Sequence, residues 1–245
     1  MFVLAKVIGY IDWSWLWVLA PLWLQLTRFF ASLFSYILAR YFGNNYLTSG
    51  KYNRAVKSYN KALDERPKAG EIYFKRGAAQ GKLGNYKQAE ADLTEAINLT
   101  SEHKKAYYYR GFVYIEREEY KNALADFDKL IELDQETDEI YFTRAFIHLE
   151  LENYEQARGD FNKAIELNPQ EARNYSGRAE FYTRREKYNK ALEDANKALE
   201  IESECGPAYK VLAEIEAAQN NEEKFYDNTG SITSSCNCYT CRCTN

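Results

Sequence analysis

The chain has 245 residues, a formal charge of −4 and a sequence pI near 5.5, so nothing in its balance is suited to a phosphate backbone and nucleic acid is excluded as an expected partner. Glycine and proline are few (12 and 4) while 28% of residues are charged, as in a helical array with material for a buried core. Four of the five cysteines crowd the last ten residues, which excludes a disulfide-stapled fold and fits an array kept in a reducing compartment.

The first element is apolar. From Val7 to Leu26 the only charge is Asp12, and 20 helical residues rise about 30 Å, the thickness of a bilayer core. Pro21 is tolerated in a membrane helix, and Trp13, Trp15, Trp17 and Trp23 suit membrane interfaces. After Arg28 a second apolar run, Phe29 to Leu38, leads on into the rest of the chain. Residues 1–35 are therefore expected to form a single-pass membrane anchor. The competing readings are a signal peptide, an apolar helix packed on the array and an interfacial helix. A signal peptide fits poorly, because Lys6 is its only basic residue and no small-x-small site succeeds the core. Between Asp12 and Asp64 there is no acid, whereas Arg28, Arg40, Lys51, Arg54, Lys57 and Lys61 lie on the C-terminal side. The positive-inside rule then places the C-terminal remainder of the chain in the cytoplasm, against the weaker pull of Lys6 and the terminal amine.

That remainder is periodic. Asp138 to Glu171 reads as two amphipathic helices joined by a tight turn, and the pattern returns every 34 residues. Tyr52, Tyr86, Tyr120, Tyr154 and Tyr188 form one column, and Ala55, Ala89, Ala123, Ala157 and Ala191 another. Gly43, Gly77, Gly111, Ala145, Ala179 and Ala213 are small where paired helices approach closely. Tyr73, Tyr107, Tyr141, Tyr175 and Tyr209 supply aromatics to the first helix. Tyr59, Leu93, Phe127 and Phe161 fill the facing helix, with Ala195 as the exception. Pro67 and Pro169 stop second helices.

This pattern resembles the tetratricopeptide repeat family. The resemblance implies an all-α, right-handed solenoid of helix–turn–helix repeats near 36–69, 70–103, 104–137, 138–171 and 172–205. A capping helix at 206–221 completes the array at 36–221, and 222–245 is expected to be a disordered Cys/Ser/Thr-rich tail. The last helix should run from Pro207 to about Gln219. Arg76, Arg110, Arg144 and Arg178 recur in first helices, and Asp92, Asp126, Asp160 and Asp194 come 16 residues later. The first repeat lacks both, with Phe42 and Ser58 instead, which predicts that the two side chains pair.

The family binds partners on the concave face lined by first helices. By resemblance that face carries Phe74, Tyr108, Phe112, Phe142 and Phe146, with Ile115 and Leu149, as a groove for an extended peptide or an amphipathic helix. Places used by a chaperone-carboxylate clamp hold Arg40, Asn44, Lys75, Lys105 and Tyr109. Tyr109 stands where an arginine is needed, so the clamp itself is not expected, although Lys75 and Lys105 can attract an acidic peptide end.

No enzyme and no cofactor are expected. His103 and His148 have no nucleophile arranged beside them, and Gly81 and Gly84 belong to helix–turn spacing rather than to a phosphate loop. Sequons at Asn98 and Asn174 fall in predicted helix or its end. Cys236, Cys238, Cys241 and Cys243 offer soft ligands for Zn²⁺ or Cu(I), although their single-residue spacers strain one tetrahedral site. The expected function is thus a non-enzymatic, membrane-tethered scaffold for a protein or peptide. Competing readings are a metal-binding or redox-responsive protein acting through the cysteine tail, and a structural homo-oligomer.

Overall fold

The 34-residue alternation of apolar stripes and turn residues folds into helix after helix. The computed structural model describes the backbone of residues 13–228 and the side chains of 20–219. Among the described residues there are eleven helices and no strand. They are α1 (Trp13–Thr48), α2 (Tyr52–Glu65), α3 (Gly70–Lys82), α4 (Tyr86–Leu99), α5 (Lys104–Glu116), α6 (Tyr120–Glu132), α7 (Asp138–Glu150), α8 (Tyr154–Leu167), α9 (Ala172–Arg184), α10 (Tyr188–Ile201) and α11 (Gly206–Asn228). The chain divides into two units, Met1–Gln135 and Glu136–Asn245. In the first, α1/α2, α3/α4 and α5/α6 pair and each pair packs on the next; in the second, α7/α8 and α9/α10 pair and α11 closes on α9 and α10.

Turns between paired helices share one device. Gly50, Gly84, Glu118, Glu152 and Glu186, each 34 apart, take left-handed backbone with φ between 57° and 75°. The next N–H then reaches back to a carbonyl in the last turn of the helix, as in Lys51 to Tyr46 at 2.8 Å and Asn153 to His148 at 2.8 Å. That bond satisfies an otherwise orphaned carbonyl and reverses the chain.

The small-residue column sets how closely helices pair. A Cβ on Gly43 would lie 2.5 Å from the Tyr59 ring, one on Gly77 2.9 Å from Leu93 Cγ, and one on Gly111 2.7 Å from the Phe127 ring. Each glycine thus receives the large side chain of its partner helix, and Tyr59, Leu93 and Phe127 are fully buried there. Burial pushes the Tyr59 phenol up to about 12, and its hydroxyl donates to Asn44 Oδ1 at 3.0 Å.

The expected Arg–Asp pairs form, and each is bidentate. Nε and Nη2 of Arg76 donate to Asp92 at 2.8 and 2.6 Å, and those of Arg110 to Asp126 at 2.9 and 2.6 Å. Arg144–Asp160 and Arg178–Asp194 repeat the geometry at 2.7 Å throughout. The third nitrogen of Arg76, Arg110 and Arg178 reaches the preceding repeat, at Asn60 (2.7 Å), Thr94 (3.0 Å) and Asn162 (2.7 Å). Tyr73, Tyr107, Tyr141 and Tyr175 lie under the four guanidiniums at 5.3–5.9 Å.

At the N-terminus, α1 carries the anchor candidate and the first helix of the first repeat as one continuous element. Among the described residues it is the one helix long and apolar enough to cross a membrane, and its residues 21–31 are exposed. From Ser32 onward one face packs on α2, where Ser32 Oγ donates to Glu65 at 2.6 Å, Arg66 stacks over Tyr36 at 4.6 Å, and Ala39 is buried. At the other end α11 runs to Asn228, nine residues beyond the expected Gln219. No glycine or proline interrupts the sequence between Ala208 and Asn228, so nothing stops the helix earlier. Cys236, Cys238, Cys241 and Cys243 lie outside the described residues. Asn174 is fully buried, its amide donating to Ala164 and Asn168 carbonyls at 3.2 and 3.3 Å, so its sequon is closed to glycosylation.

Candidate peptide-binding cleft

Two first helices of the first unit, α3 and α5, neighbour each other without filling the space between them. A cleft of about 520 Å³ lies there. Gly77, Ala78, Gly81, Leu93 and Val113 form its apolar floor, Tyr108, Tyr109 and Phe112 one wall, and Lys82, Tyr86 and Glu116 the rim. The cleft exists because repeat two is small where its successors are large. At the place of Ala78, repeats three and four carry Phe112 and Phe146; at that of Gly81 they carry Ile115 and Leu149. A Cβ on Gly81 would meet nothing closer than Val113 at 3.8 Å, so the vacancy opens beside this glycine.

The wall is held rigid from behind. Tyr108 and Phe112 stack edge to face at 4.9 Å, and both pack on the buried Phe127 ring at 6.2 and 5.7 Å. Tyr109 sets its ring edge against Phe74 at 5.4 Å and stays 38% exposed. At the rim the Tyr86 hydroxyl donates to Glu116 at 3.0 Å, and that bond raises the phenol pKa above its ordinary value. The site offers an apolar socket with aromatic walls and one basic and one acidic group at its mouth. It has no nucleophile–base pair.

Of the seven residues expected to line a groove, Tyr108 and Phe112 do so in this cleft. Phe74 is buried between His103 (4.9 Å) and Tyr109, so its ring is structural. Lys75 is half-buried and pairs with Glu71 at 3.3 Å, while Lys105 is exposed in the first turn of α5. Phe142 and Phe146 belong to the second unit and repeat the triad, 4.9 Å apart and both against buried Phe161. Phe142 is further covered by Arg173, 4.6 Å over its ring, and by Gly177, where a Cβ would come within 2.6 Å. Leu149 is buried as well. His103 caps α5 by accepting from Ala106 N at 3.3 Å. Asn44, at a clamp position, is occupied by Tyr59.

Family comparisons agree with this geometry. A TPR repeat description matches residues 43–84, and tetratricopeptide repeat descriptions match 70–103, 104–137 and 138–171, together more than half of the chain without a gap. The chain belongs to the tetratricopeptide repeat family. Among solved structures it is similar to MamA 41-end from Desulfovibrio magneticus RS-1, at 21% identity and a TM-score of 0.67 over 70% of this chain and 97% of that one. A tetratricopeptide repeat protein from Parabacteroides merdae ATCC 43184 aligns at 21% identity, TM-score 0.70, over 81% of each chain. YrrB, described as a TPR protein with an unusual peptide-binding site, aligns at 24% identity, TM-score 0.63, over 71% and 90%. No match was found among curated proteins. Within the tetratricopeptide pattern, sequence reading found the aromatic wall but missed Ala78, Gly81, Lys82, Tyr86 and Glu116. The available signal was the drop to alanine and glycine in two columns that carry Phe112, Phe146, Ile115 and Leu149 in the next two repeats.

Proposed function

We propose that this tetratricopeptide protein is a non-enzymatic adaptor that holds an apolar side chain of a peptide or protein partner in the α3/α5 cleft. The carrying observation is the vacancy at Ala78 and Gly81, walled by aromatics whose positions Phe127 already fixes, so that little ordering cost falls on the receptor. The apolar segment preceding Arg28 tethers the adaptor to a membrane with the repeats on the cytoplasmic side, a reading supported by length, hydropathy and the one-sided distribution of basic residues.

The test fills the cleft with residues that the repeat already tolerates elsewhere, Ala78→Phe with Gly81→Ile. Peptides selected from a displayed library by the full chain in detergent should share an apolar anchor and lose at least about tenfold in affinity for the variant, as expected when a buried anchor is excluded. Equal binding of the same peptides to a variant with unchanged helical content would sink the cleft as the site.

A further inference from the structure

The solvent face of α1 is apolar beyond the point where a bilayer could cover it. Trp23, Thr27, Phe30, Phe34, Ile37 and Tyr41 succeed one another at alternating spacings of four and three residues. That spacing keeps them in one stripe, and it is the spacing of a coiled-coil seam. Ser32, Tyr36, Ala39 and Gly43 lie on the opposite side of the helix, where α2 packs. Phe30, Phe34, Ile37 and Tyr41 are 51–63% exposed, and no charged residue falls in the stripe.

A bilayer spanned by α1 does not account for this stretch. Glu65 and Arg66 are bound against Ser32 and Tyr36, so hydrocarbon at that level would have to take in both charges. Tyr41 stands about 20 Å further along the helix than Arg28. We infer that this face is covered by the same face of a second copy, the two α1 helices running parallel as a coiled coil from about Phe30 to Tyr41. The area reaches the lower limit of specific interfaces: Phe30, Phe34, Ile37, Tyr41 and flanking Leu38 expose about 500 Å² per copy, so that a two-fold pair buries up to about 1,000 Å². An uncharged stripe is complementary to itself under a two-fold axis. This inference concerns α1 alone and does not depend on the cleft.

Light scattering of the full chain in detergent should give a polypeptide mass twice 28.6 kDa, and Phe34→Glu with Ile37→Glu should halve it without loss of helical signal. A wild-type monomer at every concentration, or a dimer that the variant leaves intact, overturns the inference. A second arm decides the matter if that variant fails to fold. With the five native cysteines replaced, Tyr41→Cys should form an interchain disulfide on mild oxidation, while Arg40→Cys, about 100° round the helix, should not. Equal cross-linking at the two positions, or none at either, rejects a parallel pairing, and a different protein cross-linked at residue 41 would overturn self-association by naming another occupant.

Discussion

At the scale of single residues the array is tied together by arginine. Each guanidinium grips an aspartate on the partner helix, and Arg76, Arg110 and Arg178 also reach the repeat before. Asp126 shows the energetic character of these pairs. Burial raises its carboxyl above the ordinary range even with Arg110 bound to it at 2.6 Å, so desolvation consumes much of the attraction. Such a pair contributes less than its breakage costs, because the surviving charge is left stranded. Asp126→Ala should therefore cost about 3 kcal/mol in urea unfolding, while Arg110→Met with Asp126→Leu should cost clearly less. Equal losses would mean that the pair itself, rather than the stranded cation, carries the stability. The spacing of 16 residues, present in four repeats and absent in concert from the first, made this contact legible from sequence. The bridge to Asn60, Thr94 and Asn162 was not, since those three residues share no chemistry beyond an oxygen acceptor.

At the scale of the helix pair, glycine has two roles that the sequence writes identically. Gly111 sits under the Phe127 ring, and Gly81 faces open cleft four residues after Gly77. The same substitution should then have opposite signs. Gly111→Ala forces a Cβ to within 2.7 Å of the ring and should destabilise by roughly 1–3 kcal/mol. Gly81→Ala meets only ordinary contacts and should stabilise by roughly 0.5–1 kcal/mol through helix propensity. Thermal unfolding of the two single variants checks both, and a loss at Gly81 matching that at Gly111 would show that the cleft wall closes more tightly than it stands here. Turn positions show the complementary case. Gly50 and Gly84 announce left-handed backbone, yet Glu118, Glu152 and Glu186 adopt it too, because the repeat's packing imposes the turn on whichever residue stands there.

For the whole molecule, the decisive feature is that one helix is both anchor candidate and first repeat helix. Residues 22–31 of α1 are exposed on every side, and shielding by α2 begins at Ser32. Removing residues 1–28 should release the chain from membranes into detergent-free buffer with its thermal unfolding unchanged. Loss of helical signal in that truncation would instead make the segment a structural cap on the repeats. Two units, divided at Gln135, each carry their own aromatic triad, Tyr108–Phe112–Phe127 and Phe142–Phe146–Phe161. The first opens onto a cleft formed with a neighbouring helix that lacks bulk.

The 34-residue period by itself determined the helices, their pairing and the Arg–Asp contacts, because each depends on residues within one repeat at fixed separation. Tertiary structure alone decided which aromatics line the cleft. Phe74, Tyr108 and Phe142 occupy one column, yet Phe74 is buried by His103 and Tyr109, Phe142 is covered by Arg173 and Gly177, and Tyr108 faces the vacancy left by Ala78 and Gly81. Exposure at a column is set by the side chains of the adjacent repeat, and no periodicity within the column encodes them.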